Sequence, residues 1–331
     1  MCLSATVAVS NDSARKITLR LAAYLPSHSH SVSQIVGPWA ETVEQESHGR
    51  ILFEKFWGGG LGRNPYKQFE LVRHGISELA IVQPSYTPGQ FPQLQILEMP
   101  FLTRTATEAS LAAWGLHERG LVDGFDAVKV IGMWTAEPGN IYTRGPIHRI
   151  SDIRGLKVRG VGRTEGDFID AMGAHAESMH PADVVEALRH GTIDGTIQGW
   201  VSVNTFQTYR VTSHVITAPL GVVSFAILMN RESWEALPPE LQGVINRNSG
   251  MKVALMGGRA YDRRVVEVEK KLRDEKHLIF VRPDAAELNK LANTTKPLLA
   301  NWVARTPRGQ DVYDATLEIL RNLRRKERML R

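Results

Sequence analysis

Cysteine is nearly absent: the 331 residues contain a single one, Cys2. That excludes an intramolecular disulfide framework and any multi-cysteine metal site. No apolar run approaches the ~18 residues of a membrane span. Several chemical signatures are missing as well. No G-x-G-x-x-G follows a strand, because the run 58–62 (GGGLG) has another spacing, so dinucleotide binding is not expected. There is no G-K-[ST] phosphate loop and no G-x-S-x-G nucleophile elbow. His28 and His30 lack a third ligand nearby and read as a polar loop, and paired acids such as Asp123 with Asp126 read as caps and solvated faces. Neither a metal nor a cofactor is expected. A net charge of +5 hints at nucleic acid, but 321–331 hold six Lys/Arg and one Glu and so supply all of it. A basic terminal helix on a neutral body reads as a solvated end, not a nucleic-acid groove.

The chain has 43% apolar and 23% charged residues, which suits a soluble globular protein. Its length predicts about two domains. Residues 1–14 (MCLSATVAVSNDSA) have no basic n-region, so they read equally as the stump of an export signal or as a loose terminus. Strands are expected at 17–23, 51–57, 79–82, 129–135, 156–159, 193–197 and 221–229. Helices fall between them. Ile35, Val36, Trp39, Ala40 and Val43 recur at helical spacing, Asn64-Pro65 opens a helix, and Thr105 with Glu108 forms a capping box. Pro239 opens a helical stretch to about Lys276, with a kink expected at Gly257-Gly258, and helices at 285–305 and 310–328 close the chain. Alternating strands and helices predict an α/β fold with mainly parallel sheets. No flexible linker separates two halves, so the chain is expected to cross between them more than once.

Three segments carry chemistry. In 151–160 (SDIRGLKVRG), Arg159 ends a short strand, where open α/β sheets gather ligands. It can grip a carboxylate with two parallel hydrogen bonds, or it can be a surface salt bridge. In 184–200 (VVEALRHGTIDGTIQGW), a helix stops at Gly191 and a strand runs into Gln198 and Trp200, an amide and an indole at another strand end. The plain alternative makes Trp200 a core residue. The glycine turn 58–62, ahead of a helix start, either offers backbone N–H groups to an anion or is an ordinary tight turn.

These pieces resemble the solute-binding receptors of TRAP transporters, the DctP-type periplasmic proteins. FWGGGLG (56–62), LVRHGISELAIVQPS (71–85), LEMPFL (97–102), SDIRGLKVRG, ADVVEALRHGTIDG (182–195) and MNRESWEALPPELQ (229–242) follow the order of that family's elements across 16–305. The resemblance implies a two-lobed periplasmic-binding-protein fold with crossing hinge strands and a long lobe-spanning helix. One lobe would be 15–137 with 225–268, the other 138–224 with 269–331. The receptor would sit in the periplasm, capture an organic acid anion between the lobes and deliver it to the membrane subunits of a TRAP transporter. An enzyme on a similar scaffold acting on a small carboxylic acid is the alternative. The family's carboxylate-holding arginine falls on Arg159. Gln198, Gln83 and Tyr24 fall on further ligand positions, and Pro181 stands where an aromatic contact is usual. The passage EPGNIYT puts Gly139 or Asn140 where many members have a second arginine, and Trp134, Tyr142 and Trp200 suggest a larger or more apolar monocarboxylate. The expected ligand-binding set is therefore Arg159, Gln198, Gln83, Tyr24, Trp200 and Asn140.

Overall fold

A computed structural model describes residues 16–330, so the reading of 1–14 and Cys2 lies outside the described residues. Eleven strands of the described residues form two sheets. The first contains β1 (Ile17–Ala22), β2 (Ile51–Phe56), β3 (Leu79–Val82), β4 (Val128–Thr135) and β10 (Ser224–Asn230), in the order β2-β1-β3-β10-β4. The second contains β5 (Asn140–Thr143), β6 (Lys157–Gly160), β7 (His175–Ser178), β8 (Gly195–Gln198), β9 (His214–Ile216) and β11 (Ile279–Val281), in the order β11-β9-β5-β8-β6-β7. The helices that alternate with these strands are α1 (Gly37–Glu46), α2 (Gln68–Arg73), α3 (Ala106–Glu118), α4 (Gly162–Ala171), α5 (Val184–His190) and α6 (Trp200–Phe206). Five helices close the chain: α7 (Arg231–Glu235), α8 (Pro239–Arg247), α9 (Met251–Arg273), α10 (Ala285–Arg305) and α11 (Gly309–Leu330).

The central strands of each sheet are buried on both faces, while the edge strands β2, β7 and β11 are partly exposed. In β1, Leu21 turns toward Ile35, Val36 and Trp39, while Ala22 faces the cluster of Phe69, Val72 and Leu94. In the second sheet, Ile141 and Val158 face Phe168 and Ile169, whereas Tyr142 and Val215 face Trp200 and Leu272. Burial on both faces explains the near-continuous apolar runs of the central strands. The sheets are less uniformly parallel than expected. β10 is antiparallel to β3 and β4, and β5 is antiparallel to β8 and β9. The physical reason is the crossing itself: β4 leaves the first lobe as β10 returns to it, and β5 enters the second lobe against the direction of its neighbours. The two crossings hydrogen-bond to each other, Ala136 N–H to the Val223 carbonyl (2.9 Å) and Gly139 N–H to the Gly221 carbonyl (3.1 Å).

α9 spans both lobes: Val253, Ala260 and Tyr261 join the first-lobe core, Val268 and Leu272 the second. The expected kink is elsewhere. Helix is interrupted between Arg247 and Met251, where Gly250 takes φ +68° and donates to the Ile131 carbonyl at 2.7 Å. Gly257 and Gly258 lie inside unbroken helix and serve close packing instead. A Cβ at Gly257 would stand 2.4 Å from Trp134 Cβ, and one at Gly258 2.6 Å from Thr107 Cα.

The end of the chain also departs from the expected boundaries. Val312, Ala315 and Leu320 of α11 pack with Ala109 and Ala112 of α3 in the first lobe, and Arg324 pairs with Glu108 at 2.8 Å. α10 makes the passage, from Leu291 in the second-lobe core to Trp302, whose indole N–H reaches the Pro92 carbonyl at 3.1 Å. Apolar spacing marks such a helix but does not say which lobe its apolar face meets.

Candidate functional site

The carboxyl ends of β1, β3, β6 and β8 converge with the two crossings on a cavity of about 80 Å³. From the first lobe come Tyr24, just past β1, and Gln83, just past β3. From the second come Arg159 of β6 and Gln198, the last residue of β8. The crossings contribute Glu137, Gly139 and Val223. Leu25, Val161, Pro181, Ile197, Phe206 and Phe225 supply apolar wall.

Local structure explains how these side chains are held. Gly58 and Gly59, both at positive φ, donate their N–H groups to the Leu25 and Ala23 carbonyls at 2.8 Å. The glycine turn therefore clamps the loop that carries Tyr24, and the anion reading of 58–62 gives way to this one. The Tyr24 hydroxyl donates to Gln83 Oε1. Its ring meets Tyr86 edge-on at 6.2 Å, and Tyr86 meets Tyr66 at 4.8 Å. Burial pushes the Tyr24 and Tyr86 hydroxyls upward, so both stay protonated donors at neutral pH.

Arg159 is 2% exposed. Its Nη2 donates to the Tyr86 hydroxyl and to the Met179 carbonyl, both at 3.1 Å. Among the described residues it has no ion-pair partner within 4.0 Å, since every ion pair found involves other side chains. A cation this deeply buried costs several kcal/mol unless an anion compensates it. The surface-salt-bridge alternative therefore fails. The nearby carboxyl of Glu165 is engaged otherwise, accepting the Val161 N–H at 2.6 Å, and burial pushes it up to about 7 although Arg159 pulls it down.

Of the six expected contacts, Tyr24, Gln83, Arg159 and Gln198 line the cavity. Trp200 does not. At 6% exposure its ring packs edge-on to Tyr142 (6.0 Å) and stacks on Phe280 (6.0 Å) in the second-lobe core. It is the first residue of α6, and the turn into that helix rotates its side chain away from the strand end. Asn140 sits opposite Gln198 across β5 and β8, buried, with Gly139 beside it lining the cavity in its place. Trp134 and Tyr142 are likewise core residues, Trp134 backing the lining residue Phe225 at 5.5 Å. Sequence reasoning missed Tyr86, Glu137, Phe206, Phe225 and the pair Ser31–Tyr261, joined at 2.8 Å. Only Tyr86 had a signal, as the residue after the strand-end segment VQPS.

The model of bacterial extracellular solute-binding protein family 7 (DctP) matches residues 22–306. The chain belongs to that family. A TRAP solute-binding protein from Rhodoferax ferrireducens, solved with copurified benzoate, superposes with TM-score 0.87 at 25% identity, covering 93% of this chain and 98% of that one. A marine metagenome TRAP protein described as specific for aromatic acids, solved with 3-hydroxybenzoate, gives 0.87 at 26% identity over 93% and 99%. The Comamonas testosteroni protein named outer membrane transporter protein TsaT is 24% identical over 330 residues, 95% of each chain. The resemblance read from the sequence, the two-lobed α/β fold and the receptor function thus hold. The family is one of extracellular binding proteins, and no helix among the described residues is long and apolar enough to cross a membrane.

Proposed function

We propose that this receptor captures a small aromatic or otherwise apolar monocarboxylate between its lobes and hands it, chemically unaltered, to TRAP-type membrane subunits from the periplasm. The observation that carries this reading is Arg159: a buried guanidinium lining an inter-lobe cavity, with no carboxylate within ion-pair distance among the described residues. A ligand carboxylate supplies the missing counter-charge. One unpaired arginine and mostly apolar walls favour one carboxylate over two. Tyr24, Gln83 and Gln198 then orient the anion, and closure excludes water, which strengthens the Coulomb attraction as the effective dielectric falls. The benzoate and 3-hydroxybenzoate found in similar receptors support an aromatic body.

The test is calorimetric titration of ligand-stripped protein with benzoate and succinate, with mass spectrometry of the recovered ligand. Benzoate binds and returns intact. Arg159→Ala removes one partner of a desolvated pair and loses about 2–5 kcal/mol, roughly 30-fold to several thousand-fold in affinity. Arg159→Lys keeps the charge, lacks the fork and falls between. Equal affinity in Arg159→Ala and the parent, or a converted ligand, overturns the proposal.

A further inference from the structure

We propose that Glu137 is a specificity-determining acceptor that selects acids carrying a hydrogen-bond donor, a hydroxyl or N–H, on the body of the molecule away from its carboxylate. The inference rests on the carboxylate reading of Arg159 and names what the rest of the same cavity recognises.

Glu137 lies in the crossing between β4 and β5, lines the cavity and is 5% exposed. One oxygen, Oε1, accepts the Val201 N–H at 2.7 Å, which fixes the carboxylate in place. The other, Oε2, is buried and has no partner among the described residues. The neighbouring backbone is shaped around the carboxylate: a Cβ at Gly199 would stand 2.4 Å from Oε1. No cation lies within ion-pair distance of Glu137 among the described residues. Next along the lining, Gln198 spends its amide N–H on Ser202 Oγ at 3.2 Å and leaves Oε1 buried and unpartnered. These two orphans are acceptors, so a donor on the ligand is what would satisfy them. A buried acceptor left unpaired forfeits the hydrogen bonds it made in water, and a ligand that supplies the donor restores one of them.

Sheet order separates the two functions. β5 and β6 flank β8, so the crossing that enters β5 stands two strands from Arg159, about 10 Å at the usual strand spacing. One molecule with a carboxylate at one end and a donor at the other can reach both. The apolar wall of Ile197, Val223 and Phe225 suits the body between them.

The experiment compares benzoate, 3- and 4-hydroxybenzoate and the matching 3- and 4-methoxybenzoates by calorimetry at pH 8. Burial pushes the Glu137 carboxyl up to about 7, so at that pH it is ionised and accepts. At least one hydroxy acid is expected to bind about 10-fold tighter than benzoate, and its methoxy counterpart, similar in shape but without the donor, no tighter than benzoate. In Glu137→Gln the amide oxygen keeps the Val201 N–H and turns NH₂ toward the ligand, so the hydroxy-to-methoxy ratio collapses to about 1 or inverts. A purely structural role for Glu137 would not move that ratio. Benzoate binding with no gain from either hydroxyl overturns this inference alone. If none of the acids binds, the carboxylate reading falls and takes this one with it.

Discussion

Gly162→Ala separates closure of the lobes from the folding of either one. Gly162 opens α4 in the second lobe at φ +67°, and an added Cβ would stand 2.2 Å from the carbonyl oxygen of Ser85 in the first lobe. Ordinary contact begins at 3.4 Å, so the deficit is 1.2 Å, and the obstacle is backbone rather than a flexible side-chain end. Ser85 lies in the short turn Pro84–Tyr86, which also presents the Tyr86 hydroxyl to Arg159. Relief of the clash therefore means halting closure early or moving that turn off the guanidinium. Overpacking of this kind costs about 1–3 kcal/mol, a loss of roughly 5- to 150-fold in ligand affinity. The left-handed backbone adds about 1–2 kcal/mol for a residue with a Cβ, but open and closed forms bear that equally. It lowers the melting temperature without weakening binding. Gly166→Ala is the control, because it sits in the same helix with its added Cβ an ordinary 3.6 Å from Ala176. Calorimetric affinities of the three proteins, with small-angle scattering of each with and without ligand, give the answer. Parental affinity in folded Gly162→Ala would refute the reasoning.

Glu98 is buried, and burial pushes its carboxyl up to about 8. Below about pH 4.5 both folded and unfolded chains hold the proton; as pH rises toward 8 only the unfolded chain releases it, so stability falls across that window. Glu98→Gln is expected to flatten the fall between pH 5 and 8, by an amount on the order of 1.4 kcal/mol for each pH unit of the shift. Denaturant titrations at both pH values check it, and parallel slopes in the two proteins contradict it. Trp200→Leu opens a void between Tyr142 and Phe280, so it is expected to cost about 2–4 kcal/mol of stability while shifting benzoate affinity less than Arg159→Lys does. The reverse order of the two affinity losses would place the indole at the ligand after all.

Much of the frame was legible because its signals are local. The alternation of 17–23, the apolar spacing of Ile35 through Val43, and the Asn64 and Thr105 caps each record a backbone choice that neighbours in sequence decide, and each appears where expected. Arg159 stood out at the end of a short strand, but spacing alone left a surface salt bridge open, and only the family resemblance pointed it at a carboxylate. What escaped depends on partners far away in sequence. β7, β9 and β11 span three or four residues each and exist only through pairing with β6, β5 and β9. Gly257-Gly258 looks like a weak point in isolation and is a contact surface once Trp134 and Thr107 lie against it. Trp200 was expected near the ligand from its place after a strand, but as the first residue of α6 its ring packs on Tyr142 and Phe280 instead. Glu137 carried no spacing signature at all, since its importance comes from what fails to pair with it.

The described chain passes between lobes four times: from β4 to β5, from β9 to β10, along α9, and along α10. An even number of passages returns it to its starting side, so Lys16 beside β1 and the last turns of α11 ride on the same rigid half. Dyes attached at those two points would keep a constant separation however the clamshell swings, and an energy-transfer pair placed there would report nothing on solute capture. A useful pair has one label on α11 and the other on α5, whose Val184 and Leu188 are anchored in the opposite half.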